Sequence, residues 1–370
     1  GAACLALGAL LCLAAVSCTP AGRATTSHAE ATMTIRDFTD LPRADFRWRA
    51  LWVWISDRTE AAYIDRMVDT AVEAGFDAII VSARLGAEGA GDPFGHAVEA
   101  AHARGLEVYA WISYLAGAKD APPQTLQVLL PGQEDAAAAG TRTDPDRVDV
   151  MGGPWRCPDR GLSEEEARRT ETIVRRYDVD GVAIDFLGYR NYAACWCDHS
   201  NALRAAYAKD HPALSEAEVL REVSRRSLAA FSRQVRRRVL AIRPQAKIAV
   251  HVYPDFDPDP LYGSLLDVDY CGQTIAWFFT PHWSYGTIRD RHLAFLAAQG
   301  RGPRHNRHVP FVGARPGAEA KSPDRVRTEI RLAGLGGCRT FMFAFYETLL
   351  EQPELIAVLR DELRSPDGPR

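Results

Sequence analysis

The sequence predicts a single (β/α)8 TIM barrel of the α/β class, and three observations carry the prediction. From Arg49 onward, eight short runs rich in β-branched and aromatic residues alternate with longer amphipathic stretches, the order of parallel strands and covering helices. A chain of 370 residues, 47% hydrophobic and 25% charged, can bury one large core. No repeat other than the strand–helix unit, and no shift in composition, marks a second domain.

Taken in order, the expected strands are Arg49 to Ser56, Phe76 to Arg84, Glu107 to Ser113, Gly181 to Leu187, Lys247 to Tyr253, Asp269 to Ile275, His308 to Arg315 and Cys338 to Tyr346. Helices are expected at Glu60 to Ala74, Pro93 to Ala103 and Ser163 to Tyr177, then over a long segment from Ser200 to Ile242 broken at His211-Pro212. Ser284 to Gln299, Pro323 to Ala333 and Pro353 to Leu363 complete the set. Ser163 with Glu166 has capping-box spacing, and Gly75 and Gly105 stand where helices stop. The long connection after the third strand, Tyr114 to Gly161, is expected to lie over the barrel mouth.

Ahead of the barrel, Ala2 to Val16 is apolar and small-sided but too short for a bilayer-spanning helix of ~20 residues, and matches the core of a secretion signal. With neither an initiating Met nor a basic n-region before it, this leader is expected to lack its first few residues. Leu13-Ala14-Ala15-Val16-Ser17-Cys18 resembles a bacterial lipobox with Cys18 as the lipidated residue, although Ala15 stands where Leu is usual. An ordinary cleaved signal is the alternative. The expected organisation is a lipoprotein-type signal over 1–17, a linker over 18–45, the barrel over 46–365 and a tail over 366–370. It implies an exported, membrane-anchored protein, periplasmic or at the cell surface.

A net charge of −4, with both signs mixed along the chain, argues against nucleic acid as a partner. Of eight cysteines, Cys4, Cys12 and Cys18 lie in the leader. Of the others, Cys157 is expected to form a disulfide with Cys195 or Cys197. A zinc site using these cysteines and His199 is the alternative, disfavoured because C-x-C is shorter than the usual metal knuckle. Cys338 is expected to be inert core.

Barrel chemistry sits at the C-terminal ends of the strands. There the sequence places Trp54, Arg84, Trp111, Tyr189, Arg190, His251, Tyr253, Gln273, Trp277, Arg315 and Tyr346 as candidate substrate contacts. Aromatic faces for sugar C–H surfaces, mixed with fixed polar groups for hydroxyls, are what carbohydrate binding requires. Asp185 is the sharpest candidate, because the apolar strand Gly181-Val182-Ala183-Ile184-Asp185 delivers a carboxylate at its last turn. Pairing with Arg84, Arg190 or Arg315 is its structural alternative.

These residues also resemble a known family. Arg49-Ala50-Leu51-Trp52-Val53, Glu73-Ala74-Gly75-Phe76-Asp77, the segment from Asp92-Pro93-Phe94 to Trp111-Ile112, Asp180 to Tyr189 and Phe345-Tyr346-Glu347-Thr348-Leu349 are similar to motifs of the family-10-like (DUF187-type) glycoside hydrolases, commonly lipoproteins. The resemblance spans most of Arg49 to Glu351. It implies an enzyme acting on a poly- or oligosaccharide, with no cofactor and no metal. Two positions depart from it: Gly188 stands where an Arg is usual, and Leu85-Gly86-Ala87-Glu88-Gly89 replaces a Gly-rich loop. Leu187 at the general-acid position excludes chitinase chemistry by that strand.

Glycoside hydrolysis needs two carboxyl groups. Asp185 is expected to supply one, and Asp255, Glu347 and then Glu88 are the candidates for the other. Two rival readings remain: a lipid-anchored carbohydrate-binding pseudoenzyme, and a metal-dependent hydrolase with His251, His282 and Asp185 as ligands. Against the second, the first strand reads Trp52-Val53-Trp54 where such enzymes carry H-x-H. Oligomeric state is left open.

Overall fold

The computed structural model describes residues 38, 41–83, 91–130, 153–185, 187–252, 256 and 259–364. The leader with Cys18, the loop carrying Arg84 and Glu88, and Tyr253, Asp255 and the tail therefore lie outside the described residues. Eight parallel strands form one closed barrel in sequence order, as the alternation of apolar runs predicts. They are β1 (Trp48–Val53), β2 (Ala78–Ser82), β3 (Glu107–Ser113), β4 (Gly181–Asp185), β5 (Lys247–Val252), β6 (Tyr270–Ala276), β7 (Arg307–Gly313) and β8 (Thr340–Ala344).

The described helices are α1 (Ala61–Ala74), α2 (Pro93–His102), α3 (Glu164–Arg176), α4 (Asp198–Asp210), α5 (Glu216–Leu240), α6 (Tyr285–Ala298), α7 (Pro323–Ala333), α8 (Tyr346–Glu351) and α9 (Glu354–Leu363). Their starts follow from capping chemistry: the hydroxyls of Ser163, Ser215, Ser284 and Ser322 each accept a backbone N–H from the first turn. The full reciprocal capping box lies at Ser215 and Glu218. Gly75, at φ +87°, ends α1 in the left-handed conformation that glycine adopts without strain. No described helix is long and apolar enough to cross a membrane.

Two expectations are corrected. The last strand stops at Ala344, and Tyr346 opens α8, since the residues beyond Ala344 leave the ladder and turn outward. All five cysteines of the barrel are buried free thiols, so the expected disulfide is not formed. Cys157 and Cys197 sulfurs stand 3.9 Å apart, against ~2.05 Å for a bond.

Register sorts the barrel interior into layers. Trp48, Tyr109 and Tyr270 fill its lower part, with Trp48 and Tyr270 stacked at 3.9 Å. Gly181 faces this cluster, and a Cβ there would stand 2.6 Å from the Tyr109 ring and 2.3 Å from the Lys247 carbonyl, so the close approach requires glycine. Further along the strands, Trp52, four residues past Trp48, and Trp111, two past Tyr109, form the upper layer with His251 and Phe311.

Candidate active site

Asp185 ends β4 on the same face as Gly181 and Ala183, so the two-residue period of the strand delivers its carboxylate to the top of the interior. It is 4% exposed. A carboxylate at that depth costs several kcal/mol unless it is held by partners. One partner is His251, at the corresponding level of β5, with Nδ1 3.3 Å from Asp185 Oδ1. The other ring nitrogen, Nε2, stands 2.9 Å from Thr274 Oγ1 on β6. A neutral imidazole satisfies both contacts when Nδ1–H donates to the carboxylate and the threonine hydroxyl donates to Nε2. Phe311 of β7 stacks on the His251 ring at 4.2 Å and fixes its plane.

Tryptophans flank this chain. Trp52 packs edge-on against Trp111 at 4.9 Å, and Trp111 in turn meets Trp54 at 5.0 Å. Trp54 is 47% exposed, a high value for so large an apolar side chain. The buried Trp52 indole N–H has no hydrogen-bond partner among the described residues, an available donor in the floor. Phe278, from the loop after β6, closes the opposite side against His251, Phe311 and Phe345.

Thus Trp54, Trp111, Asp185 and His251 come together. Several other candidates do not join them. Gln273 neighbours the inward Thr274 and so points outward, where it packs against Gly263. Tyr189 donates its hydroxyl to Asp159 and to the Ser224 carbonyl of α5, behind the barrel wall. Tyr346 is buried against Tyr63 of α1, with ring centroids 5.5 Å apart. Trp277 stacks on Trp283 at 5.6 Å. Arg315 is exposed, with its guanidinium over Phe279. Arg190 lies five residues past Asp185 in the loop after β4, where its backbone N–H donates to the Gln127 side chain, and it stays a candidate.

Glu347 follows β8 directly and is half-buried, and burial pushes its carboxyl above the usual carboxylate range. With eight strands in closed order, β8 lies four strands from β4 in either direction, so Glu347 stands on the far side of the mouth from Asp185. His282 does not join His251 and Asp185. It lies near Glu319, Lys321 and Arg325, and burial lowers its pKa. Trp52, Thr274, Phe278 and Phe311 are the neighbours that sequence reading missed. For the three on strands, the two-residue period counted inward from Asp185 and His251 was the available signal.

The architecture is that of a (β/α)8 barrel, and several solved structures share it. The glycoside hydrolase domain of PgaB (BpsB) from Bordetella bronchiseptica matches with a TM-score of 0.55 at 15% identity, over 87% of this chain and 99% of that one. The catalytic domain of β-amylase from Paenibacillus polymyxa matches with 0.55 at 10% identity, over 87% and 100%. A β-galactosidase from Halorubrum lacusprofundi matches with 0.52 at 14% identity, over 80% of this chain and 52% of that one. These likenesses establish the shared fold. No protein-family model matches the sequence, and no curated protein matches it either.

Proposed function

We propose that this protein is a glycoside hydrolase acting on a poly- or oligosaccharide, with Asp185 at the reacting centre. The observation that carries the reading is a buried carboxylate, oriented by His251, in a barrel mouth whose wall carries the contacting tryptophans Trp52, Trp111 and the half-exposed Trp54. An ionised Asp185 there would stabilise an oxocarbenium-like transition state or attack the anomeric carbon, while the tryptophans hold the sugar ring. Glu347, whose carboxyl burial pushes above the usual carboxylate range, is one candidate for the general acid. Asp255, shortly after β5 in sequence, and then Glu88 are the other candidates for the second carboxylate. In the same reading the leader anchors the barrel to a membrane through Cys18, within reach of cell-envelope polymers.

The test is release of reducing ends by the purified chain from a panel of cell-wall and plant polysaccharides. Release from at least one polymer, abolished by Asp185→Asn, is expected. Binding to a polymer without cleavage would overturn the enzyme reading in favour of a carbohydrate-binding protein. No binding and no cleavage on any polymer would overturn the sugar reading altogether.

A further inference from the structure

Away from the mouth, three segments distant in sequence bring their cysteines together. Cys157 leads into the helical turn Pro158–Arg160, Cys195 lies in the loop after β4, and Cys197 caps α4. The three sulfurs are buried and lie within 4.8 Å of one another.

The spacing distinguishes two kinds of chemistry. A disulfide joins two sulfurs and leaves the third as a buried thiol. Zinc at ~2.3 Å from each sulfur, with tetrahedral geometry, sets sulfurs about 3.8 Å apart and an oxygen ligand about 3.5 Å from each sulfur. Cys157 and Cys197 sulfurs are 3.9 Å apart. The hydroxyl of the fully buried Ser200, in the first turn of α4, lies 3.4 Å from Cys157 Sγ and 3.3 Å from Cys197 Sγ. Its proton is engaged by Asp159 Oδ2 at 2.5 Å, which turns the oxygen lone pairs away from Asp159. Backbone N–H groups of Val128 and Cys197 donate to Cys195 Sγ at 3.3 and 3.4 Å, the kind of outer hydrogen bond that stabilises a thiolate ligand.

We infer that Cys157, Cys195 and Cys197 form a closed structural zinc site, with its fourth corner at Ser200 Oγ. Soft thiolates favour zinc over hard cations. Binding releases the three thiol protons to solvent and moves no electrons, so the site needs no oxidant. Its effect is mechanical: it fastens the end of the loop after β3 to the loop that begins at Asp185 and to the start of α4. The inference is independent of the proposed hydrolase activity.

The full chain, prepared without chelator, is expected to contain equimolar zinc by elemental mass spectrometry. Cys195→Ser should weaken zinc affinity by more than the ~10 to 100-fold that loss of an outer partner costs. Cys271→Ala, at a buried cysteine outside the cluster, should keep the metal. Because Cys195→Ser may not fold, the unaltered chain should also be loaded with cobalt(II), which is expected to give a thiolate-to-cobalt charge-transfer band and intense tetrahedral d–d absorption. Three outcomes would each overturn the inference: an unaltered chain that takes up neither zinc nor cobalt, zinc retained in full by a folded Cys195→Ser chain, or a native disulfide between any two of the three cysteines.

Discussion

Asp185→Asn separates chemistry from architecture because it keeps the shape of the side chain and removes its charge. In the folded protein the Asn oxygen can still accept from His251 Nδ1–H, so the contact at 3.3 Å survives as a neutral hydrogen bond. A hydrogen bond to a charged group contributes ~1.5 to 3 kcal/mol and a neutral one ~0.5 to 1.5, so the net loss is about 1 kcal/mol, partly offset by no longer burying a carboxylate. A loss of that size shifts Tm by ~2 to 4 °C in a domain of 150 to 250 residues, and by less in a barrel this large. Loss of transition-state charge stabilisation costs ~2.7 to 4 kcal/mol, a fall in kcat of ~100 to 1000-fold, and loss of a nucleophile costs more. The assay pairs reducing-end release with thermal unfolding followed by circular dichroism. A variant that keeps its full rate would refute the site. A variant destabilised by ~3 to 5 kcal/mol would show that the charge serves a buried ion pair instead.

Three further outcomes are expected. Trp54→Ala, which removes an exposed platform, should raise KM ~10-fold with little change in Tm, and an unchanged KM would mean that no sugar stacks there. Glu347→Gln should abolish the alkaline limb of the pH–rate profile, because a carboxyl raised by desolvation and acting as the acid loses its proton, and the activity, as pH rises through its pKa; a limb that persists assigns the acid elsewhere. The buried pair His292 and His308, linked at 3.1 Å between Nδ1 and Nε2, should destabilise the fold in acid. Burial lowers both pKa values, so the unfolded chain takes up protons first, and stability is lost as pH falls below the ordinary 6.5, at up to ~1.4 kcal/mol per pH unit for each histidine. His308→Gln should flatten that limb in urea titrations, and an unchanged slope would assign the acid sensitivity to other groups.

What the sequence alone determined is everything that depends on local period and local caps. Alternating apolar runs specified eight strands in order, Pro212 divided the long helical segment, and serines at helix starts placed the caps, because each of these is decided by neighbours within a few residues. Asp185 was legible for the same reason, as a carboxylate at the end of an apolar strand. Tertiary structure alone decided which way the strand ends point. A step of one residue moves a side chain from the barrel interior to its outer wall, so Thr274 meets His251 while Gln273 faces outward. Tyr189 and Tyr346 were drawn away from the mouth by partners on α5 and α1 that no local pattern announces. The thiol cluster belongs to the same category: a C-x-C spacing is a poor metal knuckle by itself, and only the return of Cys157 from nearly forty residues upstream brings a third sulfur within 4.8 Å of the other two, 3.9 Å from that of Cys197.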